Sequence, residues 1–380
     1  VEDIRKLIFF AQKHRTSLIP RTAGTSLAGQ VVGSGIVVDV SRHFTKILEV
    51  NPKESWVRVQ PGVIRDELNM FLKEHGLYFG PETSTANRAM IGGMVGNNSC
   101  GSNSIVYGST REHVLEIKAL LSSGEEVTFR PLTKAEFHAK CQDKSSLEGE
   151  LYRHIFRLLS PQEVQEEIRR EFPKPSIPRR NTGYAIDLLL DSEVFDENSR
   201  HPFNFCKLIA GSEGTLCFIT EIKLNCVPLP PKHKALVCAH FHSVDESLRA
   251  NLIAVRYQPS ASELIDHYIL ECTKTNIEQR KNRFFVKDDP GAILVIEIAR
   301  ESMEEVNSTI AAMVAEMQKA GLGYHFPVLT DDDMKKIWDL RKAGLGLLSN
   351  IPGDSKPVAV IEDTAVDVND LPDFIREFNE

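Results

Sequence analysis

The stretch IGGMVGNNSCGSNSIVYG, Ile91 to Gly108, decides the reading of this chain. Between Gly92 and Gly101 it holds four glycines and two adjacent amides in ten residues, where an ordinary turn needs one or two such residues. Glycine lets backbone N–H groups converge on an anion and removes the side chains that would block its approach. Two further segments share this character: PRTAGTSLAG, Pro20 to Gly29, and AGSEGTLCFITE, Ala210 to Glu221. Three such loops far apart in sequence suggest one extended, phosphate-bearing ligand touched along its length. Thr25 and Ser26 add hydroxyl donors to the first loop, which by itself reads equally as a tight β-connection. Asn97 and Asn98 suit the edge of a heteroaromatic ring. Glu213 reads as an acceptor or as a solvated charge.

Working outward, Glu2 to His14 predicts a helix, and Ser17 to Pro20 a short strand. GIVVDVS (Gly35 to Ser41) and WVRVQPG (Trp56 to Gly62) read as strands from their alternation and β-branched content. Val63 to His75 predicts a helix with Ile64, Leu68, Phe71 and Leu72 on one face. Val114 to Phe129 predicts a hairpin turning at Ser123-Gly124. Pro131 to Phe172 is charged and helical, an insertion over a face of its domain, ended by KPSIPRR (Lys174 to Arg180). The third loop enters a strand, Leu216 to Asn225. VPLPPK (Val227 to Lys232) reads as a linker, because proline cannot continue a sheet or helix there. Beyond it come strand Ala235 to Phe241, helix Asp245 to Tyr257, strand Ser260 to Ile265, a polar helical stretch, strand Ala292 to Ile298 and helix Met303 to Ala320. That order predicts an antiparallel sheet with helices on one face.

At 380 residues the chain exceeds one core, so two domains are expected. The net charge of -8, with no basic block, predicts no nucleic-acid partner. No apolar run approaches the roughly 20 residues of a membrane span. The seven cysteines are odd in number and form no CxxC, which reads as thiols in a reducing cytoplasm. A cytoplasmic place is expected, with membrane-peripheral attachment a property only of a longer parent. Val1 is not an initiator Met, and Ile4, Leu7, Ile8 and Ala11 already follow helical spacing. The chain is therefore expected to be a fragment of a longer polypeptide. There is no GxGxxG between a strand and a helix and no GxxxxGK[ST], which argues against Rossmann and phosphate-loop enzymes. His240 and His242, two apart on a strand without a third ligand nearby, read as strand residues with local partners. No metal ligand is assigned. Cys100 reads as a packing residue.

In this order and spacing the three loops resemble the PCMH-type FAD-binding domain shared by vanillyl-alcohol oxidase and p-cresol methylhydroxylase. They resemble most its D-2-hydroxy-acid dehydrogenase branch of D-lactate dehydrogenase, glycolate oxidase and D-2-hydroxyglutarate dehydrogenase. The resemblance implies an α+β fold, with a PCMH-type FAD-binding domain of two α+β subdomains over residues 1–227. A ferredoxin-like α+β substrate-capping domain over 228–380 would follow, C-terminally truncated. It places Arg21, Thr22, Ala23, Gly24, Thr25 and Ser26 at the FAD pyrophosphate. Pro81, Thr83, Gly92, Gly93, Asn97, Gly101 and Tyr107 would line the flavin. Gly211, Glu213, Gly214, Thr215 and Ile219 would lie near the adenine end.

IWDLRKAG (Ile337 to Gly344) reads as a helix and KPVAVIEDTAV (Lys356 to Val366) as a strand after a turn. The resemblance makes Arg341 and Lys356 the holders of a substrate carboxylate, a task that suits a guanidinium's bidentate grip. It implies oxidation of a D-2-hydroxy acid to the 2-oxo acid with hydride transfer to flavin N5. FAD would be non-covalent, since Thr25 stands where some relatives carry the linking histidine. The family's histidine-rich metal and base segment, ending G-D-G-N-x-H, would lie past residue 380. The catalytic base is therefore unassigned, a divalent metal is expected only in a full-length parent, and this fragment is expected to be inactive alone. The middle segment further resembles large bacterial proteins fused to an iron–sulfur domain, a candidate electron acceptor. Other enzymes of the fold, such as alkyl-glycerone-phosphate synthase or a cell-wall precursor reductase, and a non-catalytic electron-transfer module, are the alternatives.

Overall fold

The structure, a computed structural model, describes residues 1–26, 29–180, 183–355 and 364–380. They fall into two compact units, one of residues 1–101, 107–175 and 179–229, the other of 102–106, 176–178 and 230–380. Lys356 and most of the strand expected after it lie outside the described residues.

The first unit begins with helix Glu2–His14, whose Ile4, Ile8 and Ala11 are buried, as the three-to-four spacing predicts. Ile4 and Ile8 pack with Val38, Val40, Leu120 and Phe218. Strand Leu18–Arg21 pairs in parallel with Ile36–Asp39. A five-stranded antiparallel sheet runs from edge to edge as Ile47–Asn51, Trp56–Val59, Phe218–Asn225, Val114–Leu120 and Glu126–Phe129. The first strand was not foreseen. Helix Arg65–Lys73 buries Leu68 and Leu72 completely, each contributing roughly 1.5–3 kcal/mol. The charged insertion forms helices Lys134–Gln142, Leu147–Leu159 and Gln162–Glu171. They seat on a cluster of aromatic rings that includes Phe137, Tyr152, Phe203 and Phe205.

Two readings are corrected here. The middle glycine segment is not all loop: Ile91–Asn97 is a short helix closed by Asn98 in the left-handed region, φ 55°. Val227–Pro228, read as pure linker, pairs with Leu77–Tyr78. A two-residue pairing tolerates a proline that a longer ladder would exclude, because few N–H donors are needed.

In the second unit an antiparallel sheet runs Ala261–Asp266, Ala292–Arg300, His233–Phe241, Val328–Leu329. Helices cover both faces, not one. Val237, Ala239 and Phe241 pack with Ile253, Ile310 and Met313 of helices Val244–Ala254 and Met303–Lys319. Leu236, Cys238 and Val295 pack on the other side with Leu270, Ile337 and Leu340, from helices His267–Thr275 and Asp331–Ser349. The two central strands are apolar at successive residues, the pattern of strands covered on both sides. Among the described residues no helix is long and apolar enough to cross a membrane.

Candidate cofactor-binding site

The three glycine segments meet within the first unit, and the glycines are what let them meet. A Cβ at Gly93 would stand 2.5 Å from Thr22 Oγ1, bringing the second segment onto the first. Glu213 N–H donates to Gly96 O (2.8 Å) and Gly211 N–H to Val95 O (2.9 Å), tying the third to the second. A Cβ at Gly214 would lie 3.5 Å from Pro20 Cδ, closing the third against the first.

Each segment adopts backbone that few residues accept. Gly24 has φ +64°, and its Cβ position lies 3.3 Å from Arg21 Nε. That Nε is buried and has no partner among the described residues, a donor that a bound anion would satisfy. Gly211, Glu213 and Gly214 have φ +91°, 53° and +73°. A non-glycine residue held there is uncommon and is often found at binding sites. Glu213 is fixed by Asn97 Nδ2 and Gln30 Nε2, which donate to its two oxygens at 3.1 Å each. Thr215 donates to Ser212 O (2.6 Å). Ile219 sits in strand Phe218–Asn225 opposite Ala119.

The segment Pro81–Thr83 backs the second loop. A Cβ at Gly101 would fall 2.3 Å from Glu82 O. Arg65, buried, donates from Nε to Pro81 O (3.0 Å) and from Nη2 to the Tyr78 hydroxyl (2.8 Å). Tyr107 packs over Gly80, where a Cβ would meet its ring at 2.5 Å. Asn98 does not offer its carbonyl oxygen to a ligand: Oδ1 accepts from Ser109 Oγ (2.9 Å) and Arg111 N–H (2.8 Å).

Sequence reasoning missed Arg65 and Arg111, single arginines in unremarkable surroundings. Arg111 is buried and donates from Nε and Nη2 to Ala210 O (3.1 and 2.7 Å), with Nη1 reaching Arg180 O (3.3 Å). A Cβ at Gly211 would lie 2.5 Å from its Nη2. Burial, aided by nearby Arg180, lowers its guanidinium to about 10. It remains a cation at neutral pH, held on the carbonyl of Ala210, the residue just before the left-handed turn. Beside that turn a cavity of about 270 Å³ is walled by Leu18, Pro20, Leu120, Gly214, Thr215 and Phe218. Cys217 also lines it, and its apolar surroundings push its thiol up, keeping it protonated at neutral pH.

These features fit a dinucleotide. Left-handed glycines and an unsatisfied arginine donor suit a pyrophosphate, and an apolar cavity suits a ring system. The FAD binding domain family matches residues 1–130, and the C-terminal domain of the FAD linked oxidases matches residues 230–380. The chain belongs to the PCMH-type FAD-linked flavoproteins. A D-2-hydroxyglutarate dehydrogenase of Pseudomonas putida is 35% identical over 96% of this chain and 36% of its own length. The cytochrome-type mitochondrial D-lactate dehydrogenase of Kluyveromyces lactis is 25% identical over the whole chain and 55% of its own. A solved structure of alkyldihydroxyacetonephosphate synthase superposes with TM-score 0.58 at 15% identity, covering 92% of this chain and 57% of that one, and shares the fold. The flavoprotein chain spans little more than a third of the length of the D-2-hydroxyglutarate dehydrogenases of Pseudomonas putida and Pantoea ananatis.

In the second unit Arg341 lies on helix Asp331–Ser349 beside a cavity of about 240 Å³ lined by Leu264, Ile265, Asp266, Ile269 and Gly344. It is ion-paired: Nε and Nη2 both donate to Glu263 Oε2, at 3.0 and 2.6 Å. Nothing in the sequence pattern singled out Glu263. His240 is fully buried and locally satisfied. Its Nδ1 lies 2.7 Å from Cys238 O, and Lys287 N–H donates to Nε2 at 3.2 Å. His267, Glu271 and Asp289 come within 4.8 Å of one another. The Lys274 ammonium already pairs with both carboxylates, so the cluster is an ion-pair network.

Proposed function

We propose that this flavoprotein oxidises a D-2-hydroxy acid to the 2-oxo acid, with residues 1–227 holding FAD and residues 228–380 the substrate. The convergence of the three glycine segments is the observation that carries the cofactor half of this reading. Bound FAD supplies the hydride acceptor, at N5 of its flavin ring. Arg21, Thr22, Ala23, Gly24, Thr25 and Ser26 hold the pyrophosphate with backbone and guanidinium donors. Pro81, Thr83, Gly92, Gly93, Asn97, Gly101 and Tyr107 shape the flavin wall. Gly211, Glu213, Gly214, Thr215 and Ile219 take the adenine end, next to the apolar cavity. Binding is non-covalent, because no histidine lies between Arg21 and Gly29.

Arg341 and Lys356 hold the substrate carboxylate and so orient the Cα–H. The acid is of the kind named in the relatives: D-2-hydroxyglutarate, D-lactate or glycolate. Electrons leave to an iron–sulfur domain of the same polypeptide. The odd cysteine count without CxxC favours a cytoplasmic place. The test is anaerobic mixing of the FAD-loaded full-length parent with each acid. Loss of the oxidised flavin spectrum with achiral glycolate, or with D-2-hydroxyglutarate or D-lactate and not with the L-enantiomer, supports the reading. An unchanged spectrum of the full-length parent with all three acids contradicts it.

A further inference from the structure

We propose that Glu263 is the positioning residue of Arg341, fixing which edge of the guanidinium is presented to a substrate carboxylate. The inference rests on the reading of Arg341 as the carboxylate anchor. Glu263 lies on strand Ala261–Asp266, on the same face as Ile265, by the two-residue alternation of a strand. On the adjacent strand Glu297 shares that face with Val295 and Ile293, two residues of the apolar core beneath helix Asp331–Ser349. Two carboxylates on so apolar a face are costly unless each has a partner. Glu297 Oε2 accepts from Trp338 Nε1 at 3.2 Å, and Glu263 Oε2 accepts from Arg341. Trp338 and Arg341 are three apart on one helix, so neighbouring strands grip it at two points one turn apart.

The details of the second grip point to orientation. A guanidinium has five N–H groups in a fixed plane. Glu263 takes one from Nε and one from Nη2 with a single oxygen. Among the described residues nothing else takes the Nη1–Nη2 edge, which can meet a second, bidentate acceptor. The Glu263 side chain is 19% exposed and that of Arg341 41% exposed, so the carboxylate is the sheltered partner and the guanidinium the accessible one. A long arginine side chain on a helix surface otherwise samples many rotamers, and ordering it on binding weakens the complex. Glu263 orders it beforehand. A partner for Glu263 is needed on this face, but any single donor would meet that need; gripping Nε and Nη2 together also fixes the plane of the guanidinium.

The experiment is the reductive half-reaction of the FAD-loaded full-length parent, with whichever of D-2-hydroxyglutarate, D-lactate or glycolate reduces it; reduction by none of them overturns the underlying reading and this inference with it. It yields an apparent Kd for the acid and a limiting rate. Arg341→Ala tests the underlying reading: an unchanged Kd means Arg341 is no anchor, and the present inference falls with it. With Arg341→Ala weakened, Glu263→Ala is expected to raise Kd about tenfold while the limiting rate stays within about twofold. Glu263→Asp should recover part of the loss. In the Arg341→Ala background Glu263→Ala should add nothing, since its effect passes through the arginine. A Glu263→Ala Kd equal to or below that of the wild type overturns the inference and leaves the anchor standing. So does a Kd increase that persists undiminished without Arg341. Should Glu263→Ala not fold, Glu263→Gln keeps the shape and loses the charge. It should weaken binding severalfold, and wild-type binding by that variant overturns the proposal equally.

Discussion

Gly101→Ala should loosen the proposed cofactor cradle from behind. The added Cβ would stand 2.3 Å from Glu82 O and 2.9 Å from Glu82 C. A carbon normally approaches a carbonyl oxygen no closer than about 3.3 Å, so the two segments must part by about 1 Å. The obstacle is main chain, which cannot swing aside as a side-chain end would. Glu82 is flanked by Pro81, whose carbonyl is held by Arg65, so the displacement is resisted from that side too. Overpacking of this kind costs about 1–3 kcal/mol. If the cost falls on the cofactor-competent arrangement, FAD should bind about 5- to 150-fold more weakly. Titration of apoprotein with FAD, followed by flavin fluorescence, measures it directly. Gly346→Ala is the control: nothing lies within 4 Å of that Cβ position, in helix Asp331–Ser349. Wild-type FAD affinity in Gly101→Ala would refute the reasoning that this contact shapes the site.

Gly346→Ala should itself stabilise the protein by roughly 0.5–1 kcal/mol, through helix propensity alone, which denaturant melts will check. Arg111→Ala strips a donor from the buried carbonyl of Ala210 and from the less buried carbonyls of Arg180 and Gly183. It should cost about 2–4 kcal/mol in urea unfolding, and a change under 0.5 kcal/mol would show that the network is incidental. Burial holds His240 neutral, its pKa lowered to about 4, with His325 close by adding to the effect. Its folded value lies below the unfolded one. Its contribution is therefore complete above about pH 6.5 and lost as pH falls through 4. The denaturation midpoint should decline across that window, and His240→Gln should flatten the decline; an unaltered slope would assign it to other groups. Acid precipitation should leave the yellow colour in the supernatant, whereas colour in the pellet would show a covalent flavin.

Much of the fold was legible because burial leaves a period. Ile4, Ile8 and Ala11, or Leu68 and Leu72, announce helices before any contact is known. The glycine segments stood out because their density exceeds what turns require. The helix Ile91–Asn97 was hidden by the same glycines, which have poor helix propensity. It forms because Gly92 N–H and Ile91 N–H are tied to Pro61 O and Val63 O, partners about thirty residues away in sequence. Helices on both faces of the second sheet were missed because the order of elements does not say which face a helix covers; the signal was there in strands apolar at both parities. Arg111, Arg65 and Glu263 carried no signal: a lone charged residue acquires meaning only from the carbonyl or guanidinium that tertiary structure brings to it. Asn98 suited a ring edge by residue type alone, and tertiary structure instead gives its Oδ1 to Ser109 and Arg111.

The central claim is that three separate glycine segments form one cradle touching a dinucleotide along its length. Parallel titration of the apoprotein with FAD, FMN and riboflavin tests it most directly. The account predicts one FAD bound per chain and affinity falling steeply as adenine and pyrophosphate are removed, because the first and third segments then lose their partners. Riboflavin binding as tightly as FAD, or no binding of FAD at all, would contradict it.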